Sequence, residues 1–334
     1  MSRLKYRAKV ENNHSKLLEA LKFANLICKL EGSPNETHVL LHNHSIIVFN
    51  GILAIGCNIS EDINCAPNAE LIVQALSKCG DNLSITQLDN NRLSIKSGKF
   101  KCIVPCIEPS LLGVAKPDGS QAIIDDRFKE AVEAVAPLAS ETAQSVITAS
   151  ILIAGASVLA TNRHVMMEFW HGIDLPYGIA IPKIFATTLS KIQKKLTKFG
   201  FSQSSTTFYF EDESWLRTQF YAEPWPDIRN ILDIKCNLWP VPNDFWKAID
   251  AIEPFADECV YFDQGLIKTH ADSNEGATYE CYGIPAGPIY SIKQLKLIRP
   301  YVKQIDFIAP GIHNNSYMLI WYGDNCRGVI AGRI

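Results

Sequence analysis

The chain has 334 residues, 47% of them hydrophobic and 20% charged, and a formal charge of -3, which is ordinary globular composition for two or three domains. No apolar run approaches the roughly 20 residues that cross a bilayer, and the first residues lack a signal-peptide pattern, so neither a membrane span nor a secretory leader is expected. The ten cysteines include no CxxC pair and read as buried, reduced thiols of a cytoplasmic protein.

In chain order, His14 to Leu30 follows a helical pattern, and His38 to Ile59 is rich in strand formers broken by turn residues. Ala66 to Cys79 reads as a second helix. Leu83–Leu88 and Arg92–Lys96 read as a hairpin around Asp89-Asn90-Asn91, followed by a strand that stops near Pro105. Glu108 to Gln121, with two prolines and two glycines, is a linker. Beyond it, Asp125-Asp126 is expected to cap a helix, strands are expected at Ser145–Ile153, Val158–Ala160 and Thr206–Phe210, and a crossing near Asp233 leads to a third portion. That portion ends on the strand-like segments Tyr317–Tyr322 and Arg327–Ile330.

These elements repeat. Phe128-Lys129-Glu130-Ala131-Val132-Glu133-Ala134-Val135-Ala136-Pro137 recurs 117 residues later as Phe245-Trp246-Lys247-Ala248-Ile249-Asp250-Ala251-Ile252-Glu253-Pro254. Leu17-Leu18-Glu19-Ala20-Leu21-Lys22-Phe23-Ala24 is a fainter copy, 111 residues before the first. A proline introducing another helical stretch follows each, at Pro67, Pro182 and Pro288. Periods this long are the size of a small domain. Three tandem domains are expected, over 1–112, 113–233 and 234–334, each an α/β (α+β) unit of two helices on antiparallel sheet.

Charge is unevenly distributed. Lys183 to Lys198 contains five lysines and no acid, and Lys293 to Lys303 contains three lysines and Arg299, again without an acid. The remainder of the chain therefore carries -12. The spacing of Phe185, Leu189, Ile192, Leu196 and Phe199 predicts one continuous helix with an apolar stripe, with Lys191, Lys194, Lys195 and Lys198 on the opposite face. Lys293, Lys296, Arg299 and Lys303 share one side of a second such helix, which Pro300 must end or kink. The first repeat contributes Lys78 on its second helix and Lys16, Lys22 and Lys29 on its first. Basic helices at equivalent places suit the phosphates of duplex DNA, contacted without reading sequence. No aromatic residues are interleaved, which argues against single-strand stacking.

Signals of catalysis are poor. There is no phosphate-cradling glycine loop, and His38, His42 and His44 lack acidic or cysteine partners, so neither a cofactor nor a metal is expected.

Several stretches resemble the bacterial-type sliding clamp, the beta subunit of DNA polymerase III. They are Asn82–Ile85 with Leu93–Lys101, Leu159-Ala160-Thr161-Asn162-Arg163-His164, Glu223-Pro224-Trp225-Pro226-Asp227-Ile228-Arg229-Asn230-Ile231-Leu232, and Tyr317–Leu319 with Arg327–Ile330. The resemblance implies a head-to-tail homodimer whose ring encircles double-stranded DNA, tethers a DNA polymerase and is opened by a separate clamp loader, with no catalysis of its own. The DNA-facing residues would be Lys22, Lys29, Lys78, Lys191, Lys194, Lys195, Lys198, Lys293, Lys296, Arg299 and Lys303. It also implies a pocket for partner peptides made by Ile147, Thr161, Arg163, His164, Val165 and Met166 with Ile330, Ala331, Gly332, Arg333 and Ile334. There the chain departs from the family pattern: Asp-Gly-His-Arg reads Asn162-Arg163-His164-Val165, and Met-Pro-Met-Arg reads Ile330-Ala331-Gly332-Arg333. The altered pocket motivates an alternative, a clamp-like decoy or scaffold that binds replication proteins without encircling DNA.

Overall fold

The computed structural model describes residues 7–9, 14–80, 82–272, 275–311 and 316–333. One order of elements recurs three times: helix, three or four short strands, helix, three strands. The first helices are His14–Ala24, Asp126–Val135 and Phe245–Ile252, and the second are Ala69–Ser77, Lys183–Lys191 and Ile292–Ile298. Apolar spacing decides which face each buries. Leu17 and Leu21, then Phe128, Val132 and Val135, then Phe245, Ile249 and Ile252 are all buried. Asn68 begins the second helix of the first repeat by accepting the Leu71 N–H at 3.0 Å, so this helix starts after Pro67 rather than at Ala66. Asp125 accepts the Arg127 N–H at 3.0 Å, the expected cap, whereas Asp126 reaches the Leu196 N–H at 3.0 Å.

Packing divides the chain into two compact units, Met1–Lys129 with Ile184–Ala222, and Glu130–Lys183 with Glu223–Ile334. Each unit contains one sheet that runs from one repeat into the next. In the first unit seven strands lie in the order Leu40–His42, Ser45–Phe49, Leu53–Asn58, Trp215–Gln219, Ser205–Phe210, Leu196–Phe201, Ser120–Ile123. The joint is antiparallel, from Trp215 opposite Gly56 to Thr218 opposite Leu53. Gly56 is required there, since a Cβ would lie 2.1 Å from the Trp215 ring. In the second unit eight strands run Tyr177–Pro182, Ser150–Ala154, Ser157–Thr161, Val165–Trp170, Cys326–Ala331, Tyr317–Tyr322, Gln304–Pro310, Trp239–Pro240. Its joint pairs Val165 with Ile330 through Phe169 with Cys326. Both joints follow one rule: the third strand of one repeat pairs with the last strand of the next.

A smaller sheet completes each unit. In the first, Arg7–Lys9, Leu83–Leu88, Arg92–Ser97, Phe100–Ile107 and Ala66–Pro67 are neighbours in that order. In the second, the order is Thr278–Glu280, Leu266–Lys268, Cys259–Asp263, Ile289–Ser291. Ala66–Pro67 covers Phe100–Ile107 at Ile107 and Cys106, and Asn68 donates to Pro105 O at 3.2 Å, so among the described residues the edge from Phe100 to Val104 is open, as is the outer edge of Thr278–Glu280.

Three sequence expectations are corrected. The stretch from Ser145 is not strand throughout: Ser145 O accepts the Thr148 and Ala149 N–H groups, making a helical turn over Val146–Ala149 before the strand begins at Ser150. The strand expected to stop near Pro105 continues to Ile107: Pro105 has no N–H to donate, but its carbonyl accepts from Asn68 at 3.2 Å, and Cys106 and Ile107 pair with Pro67 and Ala66. The helix expected from Phe185 to Phe199 ends at Lys191. Ile192 closes it with an N–H to Leu189 O at 3.1 Å, and Leu196–Phe201 is a strand. A bulge between Leu196 and Lys198 opposite Phe210 and Tyr209 breaks the strand's alternation, so Leu196 and Phe199, three apart, both point into the core. The five apolar side chains are all buried, as a helix would require, but two of them reach the core from a sheet.

Candidate functional site

The basic residues fall into two classes. Lys22, Lys78, Lys191, Lys195, Lys198 and Lys293 are exposed and, among the described residues, make no ion pair. Lys191 is the last residue of its helix, Lys195 lies in the following turn and Lys198 on the strand. The single helical face expected for Lys191, Lys194, Lys195 and Lys198 is therefore replaced by a helix end, a turn and a strand start.

The other five cations are already engaged. Lys29 bridges Glu36 at 2.5 Å, and this bond, with those from Ser33, draws the Glu36 carboxyl down to about 2. Lys194 is half-buried, bridges Asp212 at 2.6 Å, donates to Ser214 Oγ at 2.9 Å and stands 3.8 Å above the Phe23 ring. Burial opposes ionisation of Asp212, yet hydrogen bonds from Lys194 and Ser214 hold its carboxyl below the ordinary range. Lys194 is a packing residue of the first unit. In the third repeat Lys296 pairs with Glu253, Arg299 with Asp250 at 2.8 Å, and Lys303 with Asp324 at 2.5 Å. The sequence around these cations is free of acids, but the helix Phe245–Ile252 and the turn following it carry acids to Lys296 and Arg299, and the turn between the last two strands carries Asp324 to Lys303. Arg299 is the C-cap of its helix and Lys303 lies past it, as Pro300 requires.

A cavity of about 190 Å³ lies in the second unit, lined by Ile147, Thr161, Arg163, His164, Val165, Met166, Ile228, Ile231, Met318, Val329 and Ala331. Seven of these were expected to share a pocket. Ile330 is instead fully buried in the core, Arg333 turns to Glu258 at 3.0 Å, and Ile334 lies outside the described residues. Ile228, Ile231, Met318 and Val329 were not anticipated. Met318 and Met166 supply soft, adaptable walls where the C-terminal segment has isoleucine and alanine. A second cavity of about 740 Å³ shares His164 and is lined by charged residues, among them Glu253, Asp257, Glu258, Lys293, Lys296 and Arg333.

The rim of the apolar pocket is a tight turn. Asn162 Oδ1 accepts the N–H groups of His164 at 3.0 Å and Val165 at 2.7 Å, while Thr161 Oγ1 donates to Val165 O at 2.8 Å. Arg163 is held there at φ 75°, a left-handed conformation that glycine adopts without strain. This is the place where the clamp pattern has glycine, and Arg163 adopts there a conformation that glycine favours. Arg163→Gly is expected to fold normally and to be equally stable or up to ~1 kcal/mol more stable. A thermal midpoint lowered by several degrees would contradict this.

The pocket wall is fixed from behind by a carboxylate. Glu168 is fully buried; it accepts from Ser157 Oγ at 2.7 Å, Arg229 Nη2 at 2.9 Å and Arg327 Nε at 2.8 Å. Arg327 also donates to Leu232 O at 3.1 Å and Asp233 at 2.8 Å. These bonds fasten the 3-10 turn Arg229–Asp233 to the sheet, and Ile228 and Ile231 reach the pocket from that turn and the residue before it. The pocket floor continues into a core of Leu152, Leu159, Leu232, Ile320 and neighbours.

His42 Nδ1 meets Asn64 at 3.0 Å and His44 sits in a turn at φ 55°, and no cluster of metal-ligating side chains occurs among the described residues. Among them, too, no helix is long and apolar enough to cross a membrane.

No family model and no curated protein matches the sequence. The fold, in contrast, is that of the bacterial DNA polymerase III beta sliding clamps. The chain is similar to the pol III beta of Caulobacter crescentus at TM-score 0.79 and 14% identity, over 99% of this chain and 100% of that one. The DNA polymerase III subunit beta of Pseudomonas aeruginosa gives 0.79 at 11% identity over 99% and 100%. The Bartonella birtlesii sliding clamp bound to griselimycin gives 0.75 at 13% identity, again over 99% and 100%.

Proposed function

We propose that the chain is a DNA sliding clamp, of which two copies join head to tail around duplex DNA and tether a polymerase. The observation that carries this reading is a pair of unmatched sheet edges. Twice within the chain, the third strand of one repeat pairs with the last strand of the next. The same rule applied once more asks Thr278–Glu280 of the third repeat for a partner, and Phe100–Ile107 of the first repeat for another. Among the described residues, one side of Thr278–Glu280 and the Phe100 to Val104 part of the other strand have no partner, and open edges recruit strands. A second copy satisfies both at once and closes the assembly, which is a heterologous contact that ends after two subunits.

The likeness to solved clamps over the whole chain and the exposed lysines support this reading, in which the three domains are 1–112, 113–233 and 234–334. The apolar pocket is the place for a peptide of the polymerase or of the clamp loader. Tethering needs no catalytic group: it raises the effective concentration of polymerase at its template. The work is cytoplasmic.

Light scattering across a dilution series tests the assembly. The expected species has twice the 37.2 kDa mass of the chain. It should also remain on closed circular DNA at salt that strips it from linear DNA, because a topological link does not depend on counterions. A monomer at every concentration would remove encirclement and leave the scaffold reading.

A further inference from the structure

We propose that the third repeat carries a built-in acidic mask, in which Asp250 and Glu253 withhold Arg299 and Lys296 from DNA so that duplex phosphates are taken up by the first two repeats. The inference rests on the clamp reading above and concerns which cations act within it.

The first helices of the repeats set the pattern. The position occupied by Lys22 in the first copy is Glu133 in the second and Asp250 in the third, and the position of Asn25 is Ala136 in the second, so only the third repeat has a second acid there, Glu253. Sequence alone makes the second helix of the third repeat resemble a phosphate-binding strip, but the first helix of that repeat answers it with two carboxylates. One guanidinium nitrogen of Arg299 donates to both Asp250 oxygens, at 2.8 and 2.9 Å, and the guanidinium lies 5.6 Å from the Trp246 ring, which holds it in place. Lys296 donates to Glu253 Oε2. Nearby Lys303 is held by both oxygens of Asp324. Of the candidate cations only Lys293 is exposed and, among the described residues, without an ion pair in this repeat, against Lys22, Lys78, Lys191, Lys195 and Lys198 in the first two.

The consequence lies in counterion release. A lysine or arginine contributes to the salt dependence of DNA binding when it neutralises a phosphate and sets free the cation condensed there. A side chain already balanced by a carboxylate brings no net charge to the phosphate, and the carboxylate repels it. The masked cations should therefore add little to affinity, which keeps the third repeat's grip on the duplex loose.

The test is fluorescence anisotropy of a short labelled duplex over a salt series with the full-length protein. Asp250→Asn with Glu253→Gln should steepen the plot of log K against log salt by about 2 and tighten binding roughly tenfold at low salt, as two further phosphate contacts require. Asp250→Asn, Glu253→Gln, Lys296→Ala and Arg299→Ala together remove both pairs without baring a carboxylate and should return the slope to the parent's, with circular dichroism establishing that the variants fold. The mask is overturned if the Asn/Gln variant binds like the parent, or if the fourfold variant binds more weakly than the parent by as much as Lys191→Ala with Lys195→Ala does. Should that last pair also have no effect, the loss falls on the DNA-contacting reading as a whole.

Discussion

Glu168→Ala is expected to destabilise the second unit by about 3 kcal/mol or more, the size of effect seen when one partner of a buried ion pair is removed. The carboxylate has no exposed surface and receives three hydrogen bonds, two of them from arginines. Without it, Arg327, whose side chain is 15% exposed, loses its buried anion and keeps Asp233, the Leu232 carbonyl, Tyr322 and the Trp170 ring, while Arg229 loses its anchor. Arg229 is 37% exposed and can turn to water, so Arg229→Met should cost least and Arg327→Met should fall between. For a unit of this size a loss of ~3 kcal/mol corresponds to a fall in thermal midpoint of about 6–12 °C. A midpoint within a degree of the parent's would show that the network is not holding the sheet and the Arg229–Asp233 turn together. The same variant should enlarge or erase the apolar pocket, because Ile228 and Ile231 are placed by that turn.

Glu168 also marks what the sequence conceals. It lies between apolar neighbours on a strand, and its partners are 61 and 159 residues away, so no local pattern announces it. The repeats, the helices and most strands are legible because apolar period and turn residues are local properties. The seam at Leu196–Phe199 shows where that legibility ends. A helix stripe and a bulged strand put apolar residues at the same spacing, and only the register against Phe210 and Tyr209 separates them. The pocket was legible where the resemblance pointed to a turn and strand, Thr161 to Met166. It was hidden where a distant element contributes, as Ile228, Ile231 and Met318 do. Charge misled in a similar way: a segment without acids is not a surface without acids, as Lys296, Arg299 and Lys303 demonstrate.

Those ion pairs decide how the lysines proposed to face DNA should be probed. Lys191→Glu, Lys195→Glu and Lys198→Glu together are expected to weaken binding to duplex DNA by on the order of 100-fold and to lower the salt slope by nearly 3, since each lost phosphate contact removes about 0.9. All three side chains are exposed and, among the described residues, make no ion pair, so the fold should survive the reversal. Lys194 must be left out. Its ammonium is fixed between Asp212, Ser214 and the Phe23 ring, and a glutamate there would set one carboxylate against another inside the first unit. Lys194→Met is the useful control: it should lower stability modestly while leaving the salt slope where it was, because a cation already paired has no counterion to release from DNA. If the triple reversal leaves duplex affinity and polymerase stimulation intact, the exposed lysines of the second repeat are only a solvated surface. If Lys194→Met alone flattens the salt dependence, its pairing with Asp212 yields to phosphate, and the division between engaged and available cations has to be redrawn for Arg299 and Lys296 as well.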